Sequence, residues 1–566
     1  MNEHKEPRIG VFVCHCGVNI GSVVDVPEVV EYAKTLSNVV HTENELYACS
    51  SEGLSKIKEA IGKYQLNRVV VASCTPRTHE PLFRAACEEA GLNKYLFHMA
   101  NIREHCSWVH SREPKKATEK AKEIIRMGAA KAALLEPQAE PEIEVQPSAL
   151  VIGGGVAGMT AALSLANQKF TVYLVEKEDE LGGRLRELYK LYPSNKDASE
   201  VLREFVQAVR LNINIKVYTS TTLKLVEGFI GNFKVIISHE GIEEDLDVGT
   251  IIVATGADVL KPYGMYGYGK YGNVVTQLEL EHLLKEGKLG RPKDVVMIQC
   301  VGAREEKEGG RAYCSRICCA VAVKNALQIK ELYPETEVCV LYRDMQTYGK
   351  YFEEDYRKAR ENFVQFIRYD VENPPEVLAR PDGKLTVRAY DALINATLEL
   401  DADLVVLSVP LIPHEGAEEL SKILKVPLGS DGFFFEAHVK LRPVDFATDG
   451  IFVCGAAHSP KTIAESIAQA YAAASRASIP MALRRVRTEA ITAFVNEDLC
   501  TGCGTCIKLC PYSAIQKDEK GVAKVNEVLC KGCGLCAASC PEKAIDMRHF
   551  SDAQVLAEAT AVLRGT

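Results

Sequence analysis

The chain has 566 residues, of which 47% are hydrophobic and 25% charged, a composition typical of a globular protein with about three or four domains. Its net charge of -9 gives no reason to expect nucleic acid or an acidic membrane surface as a partner. There is no run of about 18 apolar residues, and the N-terminal segment lacks the apolar core of a signal peptide, so we expect a cytoplasmic protein without a membrane span. The 20 cysteines then suit metal or redox chemistry better than structural disulfides.

The first 136 residues predict a small α/β domain. Apolar runs at 8–13 and 68–73 have the character of strands, and helical patterns cover 26–36 and 117–135. A segment rich in proline and glutamate, 137–148, is predicted to be a linker. Strand and helix patterns then alternate through 149–488, which we expect to form the largest domain.

A strand–turn–helix pattern at the start of this domain predicts a dinucleotide site. Gly153, Gly155 and Gly158 have the spacing G-x-G-x-x-G between an apolar strand and a helix. Glycines at these positions permit a tight turn, close approach of the backbone to a pyrophosphate, and packing of the helix on the strand. A second strand ends at Glu176, where a carboxylate is expected to bind a ribose hydroxyl. That acidic residue weakens the alternative, a glycine turn in an unrelated α/β fold.

Three further segments resemble the FAD-binding pattern of the thioredoxin reductase-like flavoproteins. They lie at 181–185, at 251–257 and at 450–470, and the positions that match are Gly183, Arg184, Ala254, Thr255, Gly256, Gly455, Ala456 and Lys461. The resemblance implies a Rossmann-type FAD domain in which the segment 450–470 follows the ribityl chain and the flavin ring.

The expected position of a second dinucleotide fingerprint holds cysteines instead. Flavoproteins of this kind normally bind NAD(P)H at a second glycine motif, here expected after the strand at 294–300. No G-x-G-x-x-G follows that strand, and the segment contains Cys300, Cys314, Cys318 and Cys319. These four thiols could ligate one [4Fe–4S] cluster beside the flavin. A vicinal or C-x3-C disulfide and ordinary buried cysteines are the alternatives.

Two matching cysteine runs near the C-terminus predict a pair of [4Fe–4S] clusters. Each run reads C-x2-C-x2-C-x3-C-P, the spacing of a bacterial two-cluster ferredoxin, in which the fourth cysteine ligates the other cluster. A structural zinc site is the alternative, but it usually uses two C-x2-C pairs. The first cluster is therefore assigned Cys500, Cys503, Cys506 and Cys540, and the second Cys530, Cys533, Cys536 and Cys510. We expect an α+β ferredoxin domain at 489–548 and a short helical tail at 549–566.

Long motifs in the N-terminal and middle domains resemble those of the heterodisulfide reductase A-type subunits. They are VCHCGVNI (13–20), SCTPRTHEPLF (73–83), NIREHCSWVH (101–110), CVGAREE (300–306) and YCSRICCAVAVKNA (313–326). In that family the middle cysteines hold a [4Fe–4S] cluster next to FAD, and the N-terminal domain holds another cluster. The resemblance therefore implies FAD and four clusters. The N-terminal ligand candidates are Cys14, Cys16, Cys49, Cys74 and Cys106, and the sequence does not reveal which of these five is not a ligand.

The chain departs from the family pattern after 181–185. Many members insert another two-cluster ferredoxin domain there, whereas this chain continues directly into helix and strand patterns without a cysteine. We therefore identify a short form, in which one electron branch is removed or supplied by another chain. Flavin-based electron bifurcation by this chain on its own is then not implied.

The resemblance implies an oxidoreductase subunit that passes electrons through FAD and iron–sulfur clusters. The implied partners are B- and C-type heterodisulfide reductase subunits, an electron-input subunit of hydrogenase, formate dehydrogenase or F420-type, ferredoxin, and a second copy of the A-type subunit. Lys324, five residues after the vicinal cysteines, is a candidate catalytic residue because a lysine near a flavin stabilises its reduced anionic form. A solvated helix lysine is the alternative.

Two other functions remain open at this point. One is a self-contained NAD(P)H:acceptor oxidoreductase with a fused ferredoxin domain, against which the missing second fingerprint argues. The other is a cluster-bearing scaffold or redox sensor without turnover, whose flavin no partner would reduce.

Overall fold

The computed structural model describes residues 6–306, 310–391 and 393–563. The first five residues of the predicted N-terminal domain and the last three of the predicted tail therefore lie outside the described residues. The chain divides into two compact units, one made of Met1–Glu142 with Arg487–Thr566 and the other of Ile143–Val486. Within the described ranges, no helix has both the length and the apolar character needed to cross a membrane.

The N-terminal part of the first unit is built on a four-stranded parallel sheet. Its strands, in spatial order, are Val39–Glu45, Ile9–Cys14, Arg68–Ser73 and Phe97–Asn101. The helices of this part are Val18–Gly21, Val26–Ala33, Ser51–Lys63, Pro76–Glu89 and Pro114–Ala133, with short helical turns at Lys94–Leu96 and Arg103–Ser107. Every residue of the central strand Ile9–Cys14 is buried, which explains its unbroken apolar sequence. The strands and helices predicted here are confirmed to within a few residues.

The C-terminal part of the same unit contains two small antiparallel sheets. Ala493–Val495 pairs with Ile545–Met547, and Ile515–Lys517 pairs with Ala523–Val525. Short helices at Thr505–Leu509 and Leu535–Ala538 follow the cysteine loops, and the helix Asp552–Leu563 forms the predicted tail.

The last helix joins the two parts of the first unit. Helix Asp552–Leu563 packs against helix Pro114–Ala133. Arg126 Nε donates to the carbonyl of Ala561 at 2.7 Å, and Gln554 Nε2 donates to the carbonyl of Leu134 at 3.0 Å. The start and the end of the chain therefore share one folded unit.

The second unit begins with a five-stranded parallel sheet. Its strands, in spatial order, are Ile451–Val453, Thr250–Val253, Ser148–Ile152, Thr171–Val175 and Ile215–Tyr218. An antiparallel sheet of Ile242–Val248, Asn232–His239 and Thr221–Phe229 accompanies it. Helices Val156–Asn167 and Ile463–Leu483 pack on each other, and Ala198–Leu211, Ala417–Leu424 and the short turns Gly183–Arg186 and Gly455–Ala457 complete this part.

A second five-stranded parallel sheet follows in the same unit. Its strands are Val274–Thr276, Leu404–Leu407, Asp294–Ile298, Glu337–Tyr342 and Gln365–Arg368, and a small antiparallel sheet adds Glu376–Ala379, Leu385–Asp391 and Ala396–Ala402. The helices are Gln277–Lys285, Cys318–Leu332 and Phe352–Glu361. Strands Ala257–Val259 and Leu411–Pro413 pair where the chain passes between the two sheets, and Glu142–Glu144 and Arg485–Arg487 are the remaining short strands. The predicted α/β class is confirmed, and the second parallel sheet was not predicted as a separate sheet.

Candidate functional site

A cleft of about 780 Å³ in the second unit gathers most of the residues predicted to bind FAD. Its walls include Gly153, Gly155, Glu176, Gly183, Arg184, Ala254, Thr255, Gly256, Ala456 and Lys461. Two predicted residues lie behind the wall instead. A Cβ on Gly158 would lie 1.8 Å from the carbonyl oxygen of Gly153, and one on Gly455 would lie 2.8 Å from Ala157 Cβ. These two glycines therefore permit close packing rather than contact with a ligand.

The glycine turn fits the pyrophosphate of a dinucleotide. A Cβ on Gly155 would meet no atom within 4 Å, so the backbone there is open to the cleft. Helix Val156–Asn167 begins at this point without a side-chain cap, which leaves its first N–H groups available for phosphate oxygens. The hydroxyl of Thr255, a cleft residue whose backbone lies against Gly153, is buried and has no hydrogen-bond partner among the described residues. The residues present therefore suit FAD.

The carboxylate of Glu176 is held beside the glycine turn. One of its oxygens accepts from the Gly154 N–H at 2.6 Å, and the other accepts from the Glu178 N–H at 2.9 Å. A carboxylate has about four lone-pair sites, so the oxygens retain capacity for ribose hydroxyls.

Lys324 lies on the cleft wall and is buried, with 6% of its surface exposed. Its ammonium forms an ion pair with Glu281 and donates to the carbonyl of Lys190 at 2.9 Å. Burial lowers the pKa of Lys324, and the carboxylate of Glu281 opposes that effect. The alternative of a solvated helix lysine is therefore wrong.

The four middle cysteines come together next to this cleft. Cys300 follows the strand Asp294–Ile298, and Cys318 and Cys319 begin the helix Cys318–Leu332. The Cys318 thiol lies within electrostatic range of the other three, Cys319, Cys300 and Cys314. Each of these cysteines is free, so the disulfide alternative has no support in the structure. Cys318 also lines the cleft, which places this cysteine set beside the candidate flavin site.

Four of the five N-terminal cysteines meet at the carboxyl edge of the first sheet. Cys14 ends one strand and lies within electrostatic range of Cys16 and Cys49, and Cys74 follows another strand and interacts with the same two thiols. Cys106 faces away from this set. Its thiol donates to the carbonyl of Ala117 at 3.0 Å, on helix Pro114–Ala133.

Two small cavities in the C-terminal part contain the eight cysteines of the two matching runs. Cys500, Cys503, Cys506 and Cys540 line one cavity, and Cys510, Cys530, Cys533 and Cys536 line the other. The structure therefore brings the fourth cysteine of each run to the other run. Gly502 and Gly532 have φ of +69° and +62°, and a Cβ on either would lie 2.4 Å from a backbone oxygen, so these loops require glycine.

Among the residues that the structure describes, the cysteine sets do not form a binding site for a single metal ion. No group of three or more His, Cys, Asp or Glu side chains in the described part of the chain is placed to hold one metal ion. The thiols of a [4Fe–4S] cluster bind different iron atoms, so their spacing differs from that of a single-ion site.

Sequence reasoning missed Glu281, the partner of Lys324. It is 1% exposed and lies on helix Gln277–Lys285, next to the buried Leu280. An acidic residue on the apolar face of a helix is the one local signal that could have indicated it, because a buried carboxylate requires a partner.

Two family models match the chain. One, described as pyridine nucleotide-disulphide oxidoreductase, covers residues 147–303, and one described as 4Fe-4S dicluster domain covers residues 493–547. The thioredoxin reductase of Lactococcus lactis is similar over 59% of this chain and 99% of its own, with 19% identity and a TM-score of 0.43.

Curated relatives match over almost the whole length. The A-type subunit of the H(2):CoB-CoM heterodisulfide,ferredoxin reductase of Methanothermobacter marburgensis is 43% identical over 649 aligned positions, covering 99% of this chain and 98% of the relative. That alignment is longer than this chain, so the relative has segments without a counterpart here. An iron-sulfur A-type subunit of the CoB--CoM heterodisulfide reductase of Methanopyrus kandleri is 42% identical, covering 91% and 92%. The corresponding H(2)/formate-dependent protein of Methanococcus maripaludis is 37% identical, covering 99% of each.

These findings agree with the geometry of the sites. The chain is an oxidoreductase with an FAD domain of the pyridine nucleotide-disulphide oxidoreductase type and a C-terminal dicluster domain, and its cofactors are FAD and [4Fe–4S] clusters.

We predict that Gly155→Val abolishes FAD binding and leaves the C-terminal clusters in place. A branched side chain would project into the cleft where the backbone meets the pyrophosphate, and released flavin should fall at least about tenfold. Gly272→Val is the matched control, since this glycine of the same unit also has no atom within 4 Å of its Cβ position. Full flavin content in Gly155→Val would show that the dinucleotide binds elsewhere.

We also predict that Cys74→Ser and Cys106→Ser differ in iron content. Cys74→Ser should lose about four iron atoms per chain, one cluster, while Cys106→Ser keeps its iron. Both thiols are buried, so the pair is matched in environment, and serine at 106 can still donate to the carbonyl of Ala117. Iron and sulfide analysis of anaerobically purified protein provides the measurement. Equal loss from both variants would contradict the exclusion of Cys106.

Proposed function

The chain belongs to the family of heterodisulfide reductase A-type subunits, and from that premise we propose that it is the electron-distributing flavoprotein of a heterodisulfide reductase-type complex. The observation that carries this proposal is the shared wall of the cleft, which Cys318 lines together with the glycine turn. FAD, when bound, can take up two electrons together and give them up one at a time, and a [4Fe–4S] cluster passes electrons singly. A cluster beside the flavin is the arrangement that such an exchange requires.

The protein's own residues then have distinct tasks at the flavin. The backbone at Gly153 and Gly155 and the start of helix Val156–Asn167 bind the pyrophosphate, and Glu176 binds a ribose. Lys324, held by Glu281, provides a fixed positive charge on the wall and stabilises negative charge that develops in the cleft. Both members of this ion pair are buried, at 6% and 1% exposure.

We propose four clusters, held by the four cysteine sets described above. The N-terminal set is Cys14, Cys16, Cys49 and Cys74, without Cys106. The middle set is Cys300, Cys314, Cys318 and Cys319, and the ferredoxin part holds the remaining two. Burial raises the pKa of the Cys14 and Cys319 thiols to about 11, so these cysteines are thiols until iron binds and displaces their protons.

The partners we propose are those implied by the family. B- and C-type subunits receive electrons for heterodisulfide reduction, and an input subunit of hydrogenase, formate dehydrogenase or F420-type supplies them. Ferredoxin and a second copy of this chain complete the proposed set. Relatives named for H(2), formate and ferredoxin support this range of donors and acceptors. Bifurcation by this chain requires a second electron branch, which we assign to a partner because no cysteine follows the segment 181–185 before Cys300.

A cytoplasmic location is part of the proposal. All 20 cysteines are free, and such a number of thiols suits a reducing compartment.

The rival function is direct oxidation of NAD(P)H. The match to a pyridine nucleotide-disulphide oxidoreductase model favours it, but that match ends at residue 303, at the turn where a second fingerprint would lie. The turn contains Cys300 rather than a glycine motif. NADH or NADPH alone should therefore leave the flavin oxidised.

The cofactor content tests the proposal directly. Anaerobically purified protein should contain one FAD and about sixteen iron atoms per chain, as four clusters require. Only about eight iron atoms would leave the C-terminal pair alone and contradict both inner sites. Rapid bleaching of the flavin by NADH or NADPH alone would favour the rival.

Replacing Cys318 tests the cluster beside the flavin. We expect Cys318→Ser to lose about one cluster, to keep FAD, and to slow electron transfer from the flavin to the outer clusters sharply. Cys339→Ser is the matched control, because Cys339 is a buried cysteine of the second sheet whose pKa is raised by burial and not by neighbouring thiols. Stopped-flow absorbance and iron analysis provide the two measurements. Unchanged iron in Cys318→Ser would remove this site from the electron path.

A further inference from the structure

A row of hydrogen-bonded titratable groups leads away from the flavin cleft at Lys461. Lys461 lies on the cleft wall, and its Nζ is 3.0 Å from His458 Nδ1 and 2.5 Å from Ser459 Oγ. His458 Nε2 is in turn 2.8 Å from an oxygen of Glu436. The row therefore runs from an amine in the cleft through an imidazole to a carboxylate.

The donors around His458 fix its tautomer. Gln469 Nε2 is 3.0 Å from His458 Nδ1, and the Gln469 Oε1 accepts from the Gly455 N–H at 3.0 Å, which sets the orientation of the amide. His458 Nδ1 thus faces two donors, the Gln469 amide and the Lys461 amine, and must be the unprotonated nitrogen. The ring proton lies on Nε2 and is donated to Glu436. His458 is therefore neutral, with Nδ1 as a fixed acceptor for Lys461.

The surroundings of Lys461 lower the pKa of its ammonium group. Burial and then the Arg316 guanidinium lower the pKa of Lys461 to about 8, while Glu465, Glu436 and Cys454 act in the opposite direction. Burial and Lys461 lower the pKa of His458, against Glu436 and Asp431. A lysine with a pKa this close to neutrality can both release and regain a proton under working conditions.

Lys461 lies at the cysteine end of the cleft. Arg316, two residues before Cys318, donates to the carbonyl of Pro460 at 3.4 Å and to Glu465 at 2.9 Å. These two contacts fix the segment that carries Lys461 against the segment that carries Cys318. Glu176, the candidate ribose ligand, is on the glycine-turn side of the same cleft. Lys461 belongs to the segment 450–470, which by the flavoprotein resemblance follows the ribityl chain and the flavin ring.

We propose that Lys461 is the proton donor and acceptor for the flavin, and that His458, Glu436 and Gln469 are its positioning residues. The inference rests on the proposed function. Two electrons that arrive from a donor or a cluster are accompanied by a proton: an N–H bond at Lys461 Nζ breaks, its electron pair stays on Nζ, and the proton bonds to the flavin. When the electrons leave, the proton returns to Nζ.

Lys324, the other lysine considered on the wall, is less suited to this task. Its ammonium is paired directly with the Glu281 carboxylate and bound to the carbonyl of Lys190. Loss of its proton would leave Glu281 as an uncompensated buried charge, which is costly. The nitrogen that accepts from Lys461 is instead part of a neutral imidazole.

The test is the pH dependence of the flavin midpoint potential in the intact holoprotein. Above pH about 8, the oxidised protein has lost the Lys461 proton, so reduction takes up one more proton from solution. The slope of the midpoint potential against pH should therefore become steeper near that pH, by the amount that corresponds to one additional proton per two electrons. Lys461→Met should remove the change in slope. Lys177→Met, which removes a half-exposed lysine next to Glu176, is the matched control and should retain it.

Glu436→Gln gives an independent test that keeps Lys461. Glu436 raises the pKa of Lys461, so its neutralisation should move the change in slope to lower pH. His458→Gln should also change the pH at which the slope changes, because Lys461 loses His458 Nδ1 as its fixed acceptor. If Lys461→Met fails to bind flavin, the Glu436→Gln shift decides the matter. A change in slope that persists in Lys461→Met, or that does not move in Glu436→Gln, would overturn the proposal. Loss of FAD from the wild-type protein would instead overturn the proposed function.

Discussion

The close meeting of three backbone segments at the glycine turn is the constraint on which the flavin site depends. Gly153 has φ of +107°, and a Cβ there would lie 2.4 Å from the carbonyl oxygen of Ala254. The Gly182 N–H donates to the carbonyl of Gly154 at 2.9 Å, and a Cβ on Gly183 would lie 3.2 Å from Gly155 Cα. Side chains at these positions would force the strands apart or require left-handed backbone at a cost of about 1–2 kcal/mol per residue. The cleft exists because these segments can approach each other without side chains.

The second parallel sheet is followed by a turn that differs from the glycine turn of the first. Its turn after Asp294–Ile298 has Cys300 at φ of +61°, a left-handed conformation that glycine adopts without strain. Arg304 and Arg316 are also left-handed, at +58° and +62°, so three strained residues lie among the cysteines of one segment. Strain of this kind persists where the surrounding structure imposes it, and it concentrates at functional sites. The proposed [4Fe–4S] site would account for these left-handed residues and for the absence of a glycine motif in this loop.

Local sequence patterns were sufficient to predict the parts of the sites whose residues lie close together along the chain. The glycine motif, Glu176 and both C-terminal cysteine runs could be predicted because ligand spacing is fixed by a single turn or loop. Spacing could not identify Cys106 as the cysteine that faces away, since that depends on the packing of helix Pro114–Ala133. It also could not identify Lys324 as the partner of Glu281, or the row from Lys461 to Glu436, because the members of each come from separate elements. The partner of a buried polar group follows from the assembled fold, even where a local pattern shows that the group requires one.

The union of the two chain ends in one unit has a physical consequence for folding. Lys131, on helix Pro114–Ala133, is 1% exposed, and its ammonium lies 3.7 Å from the ring centre of Phe550 and 3.6 Å from Glu558. Burial lowers the pKa of Lys131, which means that the buried charge is tolerated mainly through these two partners. Both partners are synthesised more than four hundred residues later. The flavin unit, by contrast, is continuous in sequence from Ile143 to Val486. Lys131 must therefore remain exposed to solvent until the ferredoxin part has been synthesised. The flavin unit can form its own sheets before that point.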